Sequence, residues 1–273
     1  MDNHFSIRSL ASGSRGNCWI LKAGSTQVLI DAGISSKQVV ERLESVGESP
    51  DAICGMILTH EHSDHANGIP VLSRRFGWKT WAAQAAVDRG RGLRKPPLSG
   101  ENGVTIRPIE AGEPFVIGEL TIRPFSVSHD AADPVMFVLE YQSRKIGFAT
   151  DLGIVTRLVR QRFGGLDALV IESNHDEDML MNGPYRPEDK RRIKSRLGHL
   201  SNTQAQELAQ QVVHPGLQYV ALAHLSQTNN DRTLAYDGMC AALNECGHAP
   251  QILVARQDRP GCEIIIKTKE QRL

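Results

Sequence analysis

Three histidines and an aspartate fall within six residues, in Thr59-His60-Glu61-His62-Ser63-Asp64-His65. Imidazole nitrogen and carboxylate oxygen both hold Zn²⁺ at about 2.0–2.2 Å. Mn²⁺ or Fe²⁺ accept the same donors, because metal identity depends on supply as well as on geometry. Residues 60 and 62 project to one side of an extended chain, and Asp64 and His65, past a bend, can face a second ion. So dense a set of donors directly after an apolar run reads as a metal-binding loop rather than as a chance polar turn.

The elements that must position this loop follow from residue patterning. Short runs over 5–10, 18–23 and 27–32, separated by Gly/Ser turns, predict strands. Val39, Val40, Leu43 and Val46 at helical spacing predict a helix over 35–46. A buried-type strand over 53–59 ends on the histidine cluster. Helices are predicted over 68–76 and 84–91, with a strand over 79–83 between them. Residues 92–103, rich in Gly, Pro, Arg and Lys, read as a loop. A second series of strands covers 104–109, 115–116, 120–127, 135–141 and 145–149. Helices over 155–163, 187–197, 203–213 and 230–246 then alternate with strands over 168–171, 218–223, 251–255 and 263–267. No repeat or low-complexity tract is present. Two series of strands that each close with helices predict an α/β (α+β) chain folded as a four-layer αββα sandwich. A single domain over 1–273 is expected, with functional residues on loops at strand ends.

Composition narrows the function classes. The 31 basic and 31 acidic residues cancel, which excludes a wholesale polyanion-binding surface but leaves room for a local basic patch. Five cysteines, an odd number with no C-x-x-C pair, argue against a disulfide framework and against a cysteine-based zinc site. No apolar run reaches the roughly 18–20 residues of a membrane-spanning helix. The N-terminal residues lack the charged-then-apolar pattern of a secretory signal, so a cytoplasmic location is expected.

The segment T-H-E-H-S-D-H resembles the H-x-H-x-D-H signature of the metallo-β-lactamase superfamily, and later segments fit the same pattern. A single histidine after a later strand fits Ser126-Val127-Ser128-His129-Asp130. An aspartate after a following strand fits Gly147-Phe148-Ala149-Thr150-Asp151, and a last histidine at a strand end fits Ala221-Leu222-Ala223-His224. The segments beginning at Leu10, Ile171, Gly198 and His224 are similar to those of the YycJ/WalJ group, viewed as DNA-processing exonucleases. The resemblance implies the metallo-β-lactamase fold and two divalent metal ions per chain, Zn²⁺ or Mn²⁺. It implies that His60, His62 and His129 hold one ion, that Asp64, His65 and His224 hold the other, and that Asp151 bridges both. Taken singly, His129 or His224 would read as a buried, hydrogen-bonded histidine; their joint order and spacing favour ligation.

Two such ions lower the pKa of a bridging water and stabilise charge on substrate oxygens, so that hydroxide can attack a phosphodiester at neutral pH. The candidate catalytic residues are Asp64, Asp151 and His199. His199 lies outside the seven ligands and is the candidate proton donor to the leaving alkoxide; it also fits a helix boundary between Gly198 and a capping Ser201 or Asn202. Ser14, Arg15 and Asn17 sit in a Gly/Ser turn suited to an anion. His175, Ser226 and Asn229 are further candidates for substrate contact, and a solvated acidic loop is an equal reading of residues 174–178.

Basic segments over 89–95, with Arg89, Arg91, Arg94 and Lys95, and over 190–196 are candidates for phosphate-backbone contact with DNA. Such runs are more often solvated helix faces. The resemblance implies a 5′→3′ exonuclease on double-stranded DNA. A small-molecule metallo-hydrolase acting on a lactone or cyclic phosphodiester, an RNA-processing enzyme and a non-catalytic metal scaffold are the competing readings. The ligand-rich sequence argues against the scaffold, since structural zinc needs only one closed four-ligand site.

Overall fold

The computed structural model describes residues 3–93, 103–268 and 270–272, the side chain of residue 272 excepted. Arg94 and Lys95 of the first basic segment lie outside the described residues. The first half of the chain runs β1 (Phe5–Ala11), β2 (Cys18–Ala23), β3 (Thr26–Ile30), α1 (Ser36–Ser45), β4 (Ile53–Ile57), α2 (Ser63–Ala66), α3 (Ile69–Phe76), β5 (Lys79–Ala83), α4 (Gln84–Arg89), β6 (Ile106–Ile109), β7 (Phe115–Ile117) and β8 (Leu120–Ser126). The second runs β9 (Val135–Tyr141), β10 (Arg144–Ala149), α5 (Arg157–Arg162), β11 (Ala168–Glu172), α6 (Glu177–Asn182), α7 (Pro187–Ile193), α8 (Asn202–Val212), β12 (Tyr219–Ala223), α9 (Arg232–Glu245), β13 (Gln251–Val254) and β14 (Ile264–Ile265). Among the described residues these strands form two mixed seven-stranded sheets.

One compact unit contains the described residues up to Ser126, together with Ala131–Val135 and those from Arg256 onward. Its sheet runs β14-β1-β2-β3-β4-β5-β6. Strands β1, β2 and β3 pair antiparallel, whereas β3, β4, β5 and β6 pair parallel. Helix α1 starts where the Ser35 side chain and Gln38 form a reciprocal capping box, and its Val39, Val40 and Leu43 are buried. Val39 and Leu43 join Leu29, Met56 and Leu72 in a continuous apolar core. The bend expected after His62 is α2, a single helical turn for which His62 is the N-cap.

The second unit contains Val127–Asp130 and Met136–Ala255. Here β9 and β10 pair antiparallel, and β10, β11, β12 and β13 pair parallel in that order. The interior strand β11 is buried along its whole length, including its last residue, Glu172. Two predicted boundaries change. The helix predicted over 187–197 ends at Ile193, because the following residues turn back and His199 N donates to Ile193 O at 2.9 Å. The loop reading of residues 174–178 gives way to a helix start, with the Asp176 side chain accepting from Met179 N to cap α6.

In both units the carboxyl ends of neighbouring parallel strands carry buried polar residues. Asp31 follows β3 and Thr59 lies just beyond β4; Asp151 follows β10, Glu172 ends β11 and His224 follows β12. Asp31, Asp151 and His224 have φ values of +60°, +56° and +54°. That left-handed conformation costs a non-glycine residue on the order of 1 kcal/mol and turns the chain sharply at the strand end. Carboxyl ends of parallel strands are the general location of ligand sites in such sheets.

Candidate metal centre

In the first unit the histidine loop rests on a hydrogen-bond chain that ends at a buried carboxylate. Asp31 accepts from Thr59 N at 2.8 Å and from His65 Nδ1 at 2.7 Å, and Thr59 Oγ1 lies 2.9–3.0 Å from both its oxygens. His60 Nδ1 is 3.0 Å from Thr59 Oγ1, so it donates to a hydroxyl that itself donates to Asp31. Burial pushes the Asp31 carboxyl upward, and the contacts with His65 and Thr59 hold it back. With both Nδ1 atoms donating, His60 and His65 keep Nε2 as a lone-pair nitrogen, the form a metal binds. His60 Nε2 lies 3.1 Å from His62 Nδ1, and His65 Nε2 lies 3.5 Å from Asp64 Oδ2. The four residues of the motif are thus brought together within this unit, with the His60 ring centroid 4.1–4.6 Å from those of His65 and His62.

The Ser12–Asn17 turn holds this loop from behind. Asn17 N donates to Asp64 O at 2.7 Å, and its buried side-chain amide reaches Gly13 and His65 Nε2. Asn17 is therefore placed as a clamp on the metal loop, whereas Ser14 and Arg15 are exposed. Gly33 lies against the same loop. A Cβ there would stand 1.6 Å from the Asp64 carbonyl oxygen, a backbone atom that cannot swing aside. Gly33→Ala is expected to displace the histidine loop, lowering both metal content and melting temperature; wild-type metal stoichiometry by elemental analysis would refute this.

The second unit gathers a denser set. Asp151, Glu172, His199 and His224 each offer one ligand-type atom, all within 4.8 Å of one another. Glu172 is fully buried and accepts four hydrogen bonds. His199 Nδ1 and His224 Nδ1 both lie 2.8 Å from its Oε1, while Leu152 N and Leu200 N donate to Oε2 at 2.9 and 3.0 Å. Burial alone would raise the Glu172 pKa, but the two imidazoles outweigh it and bring it down to about 2. Burial likewise pulls the His199 pKa down, but Glu172 and Asp151 reverse this and leave it raised. Asp151 Oδ1 is central, 3.2 Å from His224 Nδ1, 3.6 Å from His199 Nδ1 and 3.8 Å from His129 Nε2.

His129 Nδ1 donates to Gly198 O at 3.1 Å, leaving Nε2 toward Asp151. Burial lowers its pKa against the opposing pull of Asp151, which favours the neutral imidazole that ligation needs. Nδ1 of His129, His199 and His224 is tied to an oxygen in this unit, as it is for His60 and His65 in the first. Such a bond fixes the tautomer and aims Nε2, the usual support for metal-bound histidine. The donor set, imidazole and carboxylate without thiolate, fits Zn²⁺ or Mn²⁺.

The weaker candidates fall in defined places. His175 is buried, and burial brings its pKa down to about 4, so it is neutral. Ser226 Oγ accepts from Thr228 N and Asn229 N and shapes the turn after His224. Asn229 is fully buried. Ser201 caps α8 with Gln204 in a capping box, so the boundary reading of the His199 segment holds together with its placement in the cluster. Sequence reasoning missed Asp31, Glu172 and Asn174, whose Nδ2 donates to the His224 carbonyl at 2.9 Å. A signal existed for Glu172: a carboxylate closing the apolar run Ala168-Leu169-Val170-Ile171 must find partners, since an unpaired buried charge is costly.

The sequence profile of a β-lactamase superfamily domain matches residues 26–222. The chain is similar to exodeoxyribonuclease YycJ of Bacillus anthracis, at 33% identity over 247 residues, covering 90% of this chain and 91% of that protein. It is also similar to exodeoxyribonuclease WalJ of Streptococcus pneumoniae serotype 2, at 33% over 245 residues and 88% of each chain. Among solved structures, the metallo-β-lactamase fold protein YhfI from Bacillus subtilis superposes with a TM-score of 0.72 over 96% of this chain and 99% of that one, at 14% identity. That likeness establishes the fold expected from the sequence.

Proposed function

This chain belongs to the metallo-β-lactamase superfamily, and on that premise we propose that it is a metal-dependent phosphodiesterase, a 5′→3′ exonuclease on double-stranded DNA. The observation that carries the reading is His199, a partly buried imidazole of raised pKa held by Glu172 beside Asp151 and His224. Cleavage of a DNA P–O bond expels an alkoxide that needs a proton, and a protonated imidazole beside the ligand residues can supply it. The names borne by the YycJ and WalJ relatives support DNA as the substrate.

The proposed ligands are His60, His62 and His129 for one ion and Asp64, His65 and His224 for the other, with Asp151 shared. When bound, two divalent ions supply an acidified water as nucleophile and neutralise charge on the phosphate oxygens. The chain's own residues do the rest. Asp31 and Glu172 orient His65 and His224 through Nδ1, and His199 carries a proton toward the leaving 3′ oxygen. Asp64 and Asp151 supply the negative charge that retains the cations. Among the described residues no helix is long and apolar enough to cross a membrane.

The test is release of nucleotides from 5′-end-labelled duplex DNA by purified protein loaded with Mn²⁺ or Zn²⁺, abolished by a chelator. Survival of the DNA while lactones or bis(p-nitrophenyl) phosphate turn over would replace this reading with that of a small-molecule metallo-hydrolase.

A further inference from the structure

The segment from α6 to His199 carries charge that the protein itself does not neutralise. Between Arg186 and Arg196 six side chains are cationic, and two, Glu188 and Asp189, are anionic. Both anions are engaged by Arg186, at 3.0 and 3.2 Å. Arg192 is engaged by Asp130 at 2.9 Å. The remaining cations, Lys190, Arg191, Lys194 and Arg196, pair with no carboxylate among the described residues. Two of them converge: Lys190 Nζ donates to Met181 O at 2.8 Å, and Lys194 Nζ lies 3.7 Å from Met181 Sδ.

Large apolar side chains flank this charge. Met181, Tyr185 and Leu197 are 52%, 36% and 50% exposed, three of the nine large hydrophobic residues exposed among those described. An ordinary solvated helix face mixes both signs of charge and shows few such side chains. A run of cations next to an exposed aromatic ring is instead what a nucleic-acid strand requires: ammonium and guanidinium groups for phosphates, and a flat ring for a base. The surface also leads directly to the chemistry. Past α7 the chain makes one tight turn, closed by Gly198 N to Ser195 O at 3.0 Å, and the next residue is His199.

We propose that residues 181–197 form the surface on which the end of a DNA strand lies, its phosphates between Lys190, Arg191, Lys194 and Arg196 and an unpaired terminal base on the Tyr185 ring. The inference rests on the phosphodiesterase reading and specifies how that enzyme takes its substrate. Stacking is open only to a base released from pairing, so the surface favours a frayed or overhanging end over a blunt duplex.

Binding of phosphorothioate-linked duplexes to the metal-loaded protein, followed by fluorescence anisotropy across a salt series, tests this without cleavage. Blunt ends are compared with ends carrying a short single-stranded overhang. Changing Lys190, Arg191, Lys194 and Arg196 together to Gln is expected to reduce the slope of log K against log salt by about 2–4, near 0.9 for each phosphate no longer neutralised. Tyr185→Ala is expected to weaken overhang binding about ten-fold and blunt binding far less, with Tyr185→Phe restoring it. Metal content and melting temperature report that each variant is folded. A wild-type slope in the Gln variant, or equal losses on both DNAs for Tyr185→Ala, would overturn the inference. If the wild-type protein itself neither binds nor degrades DNA, the phosphodiesterase reading fails first; if it does both and the variants match it, only this surface is refuted.

Discussion

Replacing Asp151 with Asn is expected to lower DNA turnover roughly a thousand-fold, the scale of losing a group that stabilises the transition state, and to leave fewer than two metals per chain. Asp151 is buried, and its Oδ1 lies 3.2–3.8 Å from nitrogen atoms of His224, His199 and His129. Asn is isosteric and tolerates the φ of +56° recorded here, so the substitution removes the negative charge without straining the turn. What is lost is the anionic oxygen that favours a divalent cation among neutral imidazoles. Elemental analysis and turnover of end-labelled duplex are the two readouts. Retention of two metals with turnover within ten-fold of wild type would show that Asp151 does not bridge.

Glu172→Gln is expected to shift the pH profile as well as the rate. In the wild-type fold Glu172 stays ionised down to about pH 2, and its charge is a main cause of the raised His199 pKa. A general acid must be protonated, so activity falls on the alkaline side as His199 loses its proton. Gln removes the attraction and leaves the burial, which lowers the His199 pKa. The alkaline limb of kcat/KM should therefore move to lower pH, with a loss of about a hundred-fold at pH 8, within the range of general acid catalysis. His199→Ala should slow turnover similarly while metal content stays intact, and should abolish the limb itself. An unchanged limb in Glu172→Gln, or an unchanged rate in His199→Ala, would remove this pair from proton transfer.

Stability should follow the same charge. The depressed Glu172 pKa contributes stability that is fully present above the ordinary carboxyl value of 4.5 and is lost as pH falls from there toward 2. The sign is opposite for His199: its raised pKa contributes below 6.5 and the contribution fades as pH rises through the folded value. Metal-free Glu172→Gln should accordingly show a flatter acid limb in its melting temperature than the metal-free wild type.

The metal loop was legible because its information is local. His60, His62, Asp64 and His65 lie on one strand end, and a turn after an apolar run is enough to place them. His129, Asp151 and His224 were singled out only because their order and positions after strands resemble the family's pattern. The helix over 35–46 was legible from its apolar spacing and the start of α8 from Ser201 or Asn202 as a cap, whereas the capping boxes with Gln38 and Gln204 are seen in the structure. The end of α7 was not, because Lys194, Ser195 and Arg196 are acceptable helix residues, and the helix stops only because the backbone turns to close on Ile193.

Asp31 and Glu172 mark the limit. In sequence each is a carboxylate closing an apolar strand, with no partner nearby. Parallel pairing of β11 with β10 and β12 sets Glu172 among residues distant in sequence, and there one oxygen serves both His199, 27 positions away, and His224, 52 positions away. The sequence by itself therefore determined which side chains are suited to bind metal and roughly where the chain presents them. Only the tertiary structure decided which nitrogen each histidine offers and which one keeps a proton. Tautomer and pKa depend on groups brought within hydrogen-bond distance by strand register and on removal from water, and neither is a property of neighbours along the chain.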